Sequence, residues 1–243
     1  MSWAGHGNFG DELILEGLRT LFKDWQIQPF TNDSAGAYPQ IDFDMVNKCD
    51  LFVLGGGELI NSKFLWMPAP SKFFPPLTRR IRLYARTPFA RRSWIRHIKI
   101  PKIILGCGVD VEKPEDISSN VVRDLEQFSY IGLRDNASVN ILKSFPQLKD
   151  KVGLFYDLVY AVNFNVRIAE YLAKVFPCRL HGLILAHISG VPYTFPFYHR
   201  KVKRVHDTIK GLTPEKIRQT QKDELAKIMG CYHIETGIVN RKE

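Results

Sequence analysis

The amino-acid sequence predicts an α/β protein with a doubly wound parallel sheet. Three observations point to it. Short apolar runs, such as Leu51 to Leu54 and Lys102 to Leu105, end directly in glycine-rich turns. Amphipathic stretches at helical spacing separate those runs. The order of run, turn and helix repeats through the first 160 residues. Alternation of this kind leaves parallel strands joined by helical crossovers, and such sheets bind ligands beyond the carboxyl ends of their strands.

Met1 to Ala4 is a short strand candidate leading into Gly5-His6-Gly7-Asn8-Phe9-Gly10, which matches the dinucleotide pattern GxGxxG. Asp11 and Glu12 stand where a pyrophosphate would sit, which argues against a dinucleotide. Two readings of the loop stay open: backbone N–H groups at a helix start facing an anion, or a tight turn before an ordinary helix. The helix carries Leu13, Ile14, Leu18, Leu21 and Phe22 on one face. Gln26 to Phe30 reads as a second strand. Asp50 to Leu54 reads as a buried third, ending in Gly55-Gly56-Gly57-Glu58, where bare backbone at Gly56 and Gly57 can approach a ligand.

Lys102 to Leu105 is the next strand, followed by a helix capped by Ser119. Tyr130 to Leu133 ends at Arg134, which places this arginine at a ligand-binding edge; a salt bridge to a neighbouring acid is the alternative. Ala137 to Phe145 is a helix and Val152 to Phe155 a strand before Asp157. Beyond Tyr160 the pattern thins to a helix face (Ile168, Tyr171, Leu172, Val175), a strand candidate at Val191 to Phe195, a basic helix over Val202 to Ile209 and a last helix opened by Thr213 and Pro214. One strand cannot make a sheet. The division is therefore an N-terminal domain over 1–160, with a basic insertion at 59–101, and a C-terminal domain over 161–243. The latter must lean on the first domain or on a partner, a second copy of the chain included.

At 243 residues and 28.0 kDa, with 45% hydrophobic and 24% charged residues, the composition is that of a globular protein. Cys49, Cys107, Cys178 and Cys231 are widely spaced and form no CxxC, which fits reduced thiols and no metal site. The start of the sequence shows no secretory pattern, and no apolar run approaches the ~20 residues of a membrane-spanning helix. A cytoplasmic protein is expected. The net charge of +9 is concentrated: Leu59 to Val109 contains eleven lysines and arginines and no acidic residue, interleaved with aromatic side chains. Such a window suits an anionic membrane surface at the inner face or a phosphate-rich ligand, or else is a solvated insertion. No signature of sequence-specific nucleic-acid binding is present.

The densest chemistry lies between Arg179 and Lys201. Arg179 and His181 open an apolar stretch that ends in Tyr198-His199-Arg200-Lys201. Cations at both ends with a titratable imidazole suit an anionic ligand that also needs a proton moved. A histidine at the start of an apolar helix is more often a structural hydrogen-bonder.

Taken together, GHGNFGDELIL (Gly5 to Leu15), LFVLGGGELI (Leu51 to Ile60), ILGCGV (Ile104 to Val109), GLRDNAS (Gly132 to Ser138) and RLHGLILAHISGVP (Arg179 to Pro192), with the following Lys201, resemble the polysaccharide pyruvyl transferase family. The resemblance implies a Rossmann-like fold in the glycosyltransferase-B arrangement, here with a shortened second domain. It implies transfer of an enolpyruvyl group from phosphoenolpyruvate to a sugar of a cell-surface glycan or its lipid-linked precursor, with no cofactor beyond that donor. Catalytic roles fall on His181, Arg179 and Lys201. Substrate binding falls on Arg134, Leu180, Gly7, Asn8, Gly10, Gly56 and Gly57. The first strand is reduced and only 18 residues separate Tyr160 from Arg179, so the far wall of the cleft is incomplete. Two alternatives stand beside this reading: a non-catalytic remnant binding an anionic glycan, lipid or protein partner, and a nucleotide-sugar glycosyltransferase.

Overall fold

The computed structural model describes residues 8–30, 37–60, 94–165, 167, 169–171, 180–193 and 199–231. Four strands, β1 (Phe52–Gly55), β2 (Lys102–Cys107), β3 (Tyr130–Leu133) and β4 (Val152–Leu154), form one sheet in the order β1-β2-β3-β4. Every pairing is parallel. The fold is a Rossmann-like α/β fold, with helices against both faces of the sheet.

Each face has its own apolar cluster, and β2 shows how the sequence divides between them. Ile103 and Leu105 join one cluster and Ile104 the other, as the two-residue period of a strand requires. Beneath the second face lie the crossover helices α3 (Ser119–Leu125) and α4 (Asn136–Lys143), after a short α2 (Phe43–Val46). The first face is covered by α1 (Phe9–Leu21) and by three helices from the end of the chain: α5 (Leu180–Ser189), α6 (Arg200–Ile209) and α7 (Pro214–Cys231). The segment after residue 179 thus supplies no strand among the described residues. It packs onto the sheet in the same cluster as α1, around Leu158, Val159 and Tyr160, none of which is exposed. Burying one such side chain contributes about 2 kcal/mol.

Local chemistry explains most boundaries and a few departures. The cap of α3 is Ser118, not Ser119: its hydroxyl accepts the Val121 N–H at 3.4 Å. Asp135 caps α4 by accepting the Ser138 N–H at 2.8 Å. Gln26 to Phe30, expected as a strand, is irregular. Pro29 has no N–H to offer a ladder, yet Phe30 still buries its ring in the core. Residues 191–193 are likewise irregular, and the rest of the strand expected at Val191 to Phe195 lies outside the described residues, as does the one at Met1 to Ala4. Most of the basic window, 61–93, lies outside them too; its end folds into a short turn that buries Trp94, Ile95 and Ile98. Among the described residues no helix is long and apolar enough to cross a membrane.

The three C-terminal helices are fastened by polar contacts as well. From α7, Gln221 donates to the carbonyls of Tyr156 and Asp157, and Arg218 to that of Tyr160. On α5, His187 bridges two elements: its Nε2 lies 2.9 Å from the Leu212 carbonyl and its Nδ1 2.9 Å from the Tyr160 hydroxyl. A carbonyl can only accept, so the proton sits on Nε2 and Nδ1 accepts from the tyrosine. Burial lowers the pKa of His187; the Leu212 carbonyl and Glu215 pull it upward and His206 downward. The unfolded chain therefore takes up a proton near pH ~6.5 that the folded protein resists. This contribution to stability is complete above that pH and is lost as the pH falls through the lowered value. His187→Gln keeps a donor for Leu212 and an acceptor for Tyr160 without titrating. Melting temperatures from pH 7.5 down to 5 should fall more steeply for the parent than for this variant; parallel slopes would remove His187 as the cause.

Candidate active site

The carboxyl ends of all four strands deliver polar or thiol groups to one edge. After β1 the chain turns through Gly56 and Gly57, both at positive φ (70° and 75°), a region that favours glycine. The turn aims Glu58 back along the edge. β2 ends in Cys107 and Gly108, β3 runs into Arg134, and Asp157 follows β4. Arg134 lies flat against Gly108: a Cβ there would stand 2.9 Å from its Nη2 and 3.0 Å from its Nε. Its Nη1 is 3.5 Å from Asp157 Oδ2 and its Nη2 is 3.5 Å from Glu58 Oε1. The other Glu58 oxygen is 3.5 Å from Lys201 Nζ. A line of alternating charge, Asp157–Arg134–Glu58–Lys201, runs along the strand ends from the interior to solvent.

Burial is graded along that line. The side chains of Asp157 and Arg134 are 0% and 2% exposed, whereas Glu58 is 22% and Lys201 41% exposed. Arg134 is thus not the open anion fork expected from its position. Two carboxylates already face its guanidinium, and the salt-bridge alternative describes where it sits. Lys201 reaches the edge because α6 is strapped down around it. Arg204 donates to the carbonyls of Val109 (2.8 Å) and Val111 (2.9 Å), and Arg200 pairs with Asp110 and Glu112. Cys107 is fully enclosed and its Sγ lies 3.3 Å from the Gly56 carbonyl. Burial pushes its thiol pKa up to about 12, so it stays a neutral thiol beside the site.

His181 arrives from the other side. It is the second residue of α5, and its ring rests on Gly10 in the first turn of α1. A Cβ on Gly10 would stand 1.9 Å from His181 Nδ1 and 2.3 Å from its Cε1. One turn further along, about 6 Å, Ile14 lies over Gly56, where a Cβ would come within 2.4 Å of it. His181 thus sits on the first turn of α1, and the glycine turn leading to Glu58 lies under the next turn of the same helix. The remaining expected residues play other local parts. Asn8 is the N-cap of α1, its Oδ1 accepting the Gly10 N–H at 3.2 Å, so that N–H is engaged within the chain rather than free for an anion. Gly10 is the seat of His181, and Gly56 is covered by Ile14. Leu180 is 5% exposed and packs in the core, which anchors α5. Gly7, His6 and Arg179 lie outside the described residues.

Glu58 and Asp157 were not among the site residues expected from the sequence. The signal was there: each follows a strand closely at its carboxyl end, as Arg134 does. Sequence alone did not show that the three meet.

A family model described as polysaccharide pyruvyl transferase matches residues 8–173. The matched span contains α1, the four strands, Glu58, Arg134 and Asp157; His181 and Lys201 lie beyond it. No curated protein and no solved structure gives a match. The match covers well over half of the 243 residues and includes the whole sheet from whose strand ends the site is built, so the chain belongs to the polysaccharide pyruvyl transferase family.

Proposed function

We propose that the protein transfers the enolpyruvyl group of phosphoenolpyruvate to hydroxyls of a sugar in a cell-surface glycan or its lipid-linked precursor, forming a pyruvate ketal. The reaction adds a proton to C3 of the enol, joins two sugar oxygens to C2 and releases phosphate. A donor carrying a phosphate and a carboxylate needs cations, and the enol and the attacking hydroxyls need a proton carrier near neutrality. His181 is the acid/base. Lys201, the more exposed cation of the charged line, meets the donor's anionic groups. Arg134 acts one step behind it, as a positioning residue that fixes Glu58 and Asp157.

The observation that carries this reading is the seating of His181 on Gly10. It brings an imidazole, more than 170 positions along the chain from that glycine, onto the first turn of α1. A histidine placed there can serve chemistry at the sheet edge, where parallel α/β sheets bind their ligands. The test is phosphate release from phosphoenolpyruvate in the presence of glycan or lipid-linked acceptors. His181→Ala should lower that rate by about 10²–10⁴-fold, the range for loss of a general acid/base, with the melting temperature little changed. Full activity in this variant would overturn the assignment. Thermal stabilisation by a nucleotide sugar, and none by phosphoenolpyruvate, would replace the function with glycosyl transfer.

A further inference from the structure

The charged line has a property that no single residue in it shows. Its formal charges cancel: Arg134 and Lys201 are balanced by Glu58 and Asp157, all within one chain of contacts at 3.5 Å. A site meant for a multiply charged anion thus offers it little net attraction as it stands. Two of the four members cannot yield, because Asp157 and Arg134 are enclosed. Glu58 and Lys201 are the two with access to solvent. Their separation of 3.5 Å is long beside the ~2.8 Å of a charge-assisted hydrogen bond, so little hydrogen bonding is lost when they part. Arg134 Nη2 faces Glu58 Oε1 at 3.5 Å, also longer than a charge-assisted hydrogen bond, so the guanidinium holds Glu58 mainly through charge.

We infer that Glu58 lowers the affinity of this site for anions by competing with the donor's anionic groups for Lys201. The identity of that donor rests on the pyruvyl-transfer reading; the competition does not. An anion that meets Lys201 must displace a carboxylate tethered beside it. A phosphate ester, with more charge, displaces it, and Glu58 then swings toward solvent while Arg134 and Asp157 stay paired. The carboxylate weakens the binding of every anion that Lys201 meets, and removing its charge strengthens that binding.

The experiment is calorimetric titration of the full chain at low ionic strength, with inorganic phosphate and phosphoenolpyruvate as probes. Glu58→Gln leaves the Arg134–Asp157 pair intact and gives the line a net positive charge. It should bind both probes about fivefold more tightly, the effect of one neighbouring charge at a solvent-exposed site. The gain should shrink as salt is raised. It should vanish when Lys201→Met is added. A Glu58→Gln variant that binds phosphate no better than the parent, or less well, overturns the inference, as does a gain that survives the loss of Lys201. If that variant does not fold, Glu58→Asp retains the charge and draws the carboxylate back by one methylene; it should tighten binding to a lesser degree, and no tightening counts against the idea. Phosphate binding needs no turnover. Tighter binding without any pyruvyl transfer would leave the competition standing and remove the proposed reaction; the opposite pattern would do the reverse.

Discussion

Arg134→Ala is expected to lower the melting temperature by about 10 °C. The figure follows from the energetics of buried ion pairs. Asp157 has no side-chain exposure and faces the Arg134 guanidinium at 3.5 Å; removing the arginine leaves that carboxylate enclosed without its cation. Breaking a buried pair in this way costs about 3–5 kcal/mol, and for a chain of this size each kcal/mol shifts the melting temperature by about 2–4 °C. Lysine is no substitute, since a point charge cannot lie flat on Gly108 and face two carboxylates at once. The mechanism can be isolated by adding Asp157→Asn to Arg134→Ala. The second change removes the orphaned charge yet keeps Oδ1, which accepts the Val159 N–H, so much of the lost stability should return. Calorimetry on the three proteins checks this. A melting temperature within a degree or two of the parent for Arg134→Ala would mean that the arginine does not organise the strand ends.

Gly10→Ala is expected to cut the rate of phosphate release by about a hundredfold, the scale on which an ångström of misplacement acts on a catalytic group. The new methyl would stand 1.9 Å from His181 Nδ1, well inside any allowed contact. The imidazole must therefore leave its seat. Stability should move far less. Alanine is favoured over glycine within a helix by about 1 kcal/mol, which offsets part of the strain of moving a ring whose Nε2 is enclosed. The signature is a large fall in kcat with a small change in melting temperature. An unaltered kcat would separate His181 from the chemistry as effectively as its own deletion.

Much of this protein was legible in the primary structure, and the legible parts share a cause. β1, β2, β3 and β4 are continuous apolar runs ended by glycine or a charge, and α1, α3 and α4 bury the faces their periodicity marks. These signals are local: a two- or three-residue repeat reports which side of an element faces the core. The five spaced motifs likewise point to the family that the matched span shows. Position at a strand end was enough to mark Arg134, and the order of residues around Lys201 was enough to mark a basic helix.

What stayed hidden depends on pairs distant in sequence. Nothing near residue 10 indicates that a ring from residue 181 will rest on it, and nothing near residue 58 indicates partners at 134 and 201. The same holds for the cover on the first face of the sheet. The sequence left open whether 161–243 leans on the first domain or on a partner; packing places α5, α6 and α7 beside α1 over Leu158 and Tyr160. The amino-acid sequence by itself determined the parallel sheet, its strand ends and the kinds of residue found there. Only the tertiary structure decided which charges meet, because a side chain's exposure and counter-charge are set by neighbours that the chain brings back from far away. That is why Arg134 emerged as an enclosed organiser and Lys201 as the cation within reach of solvent.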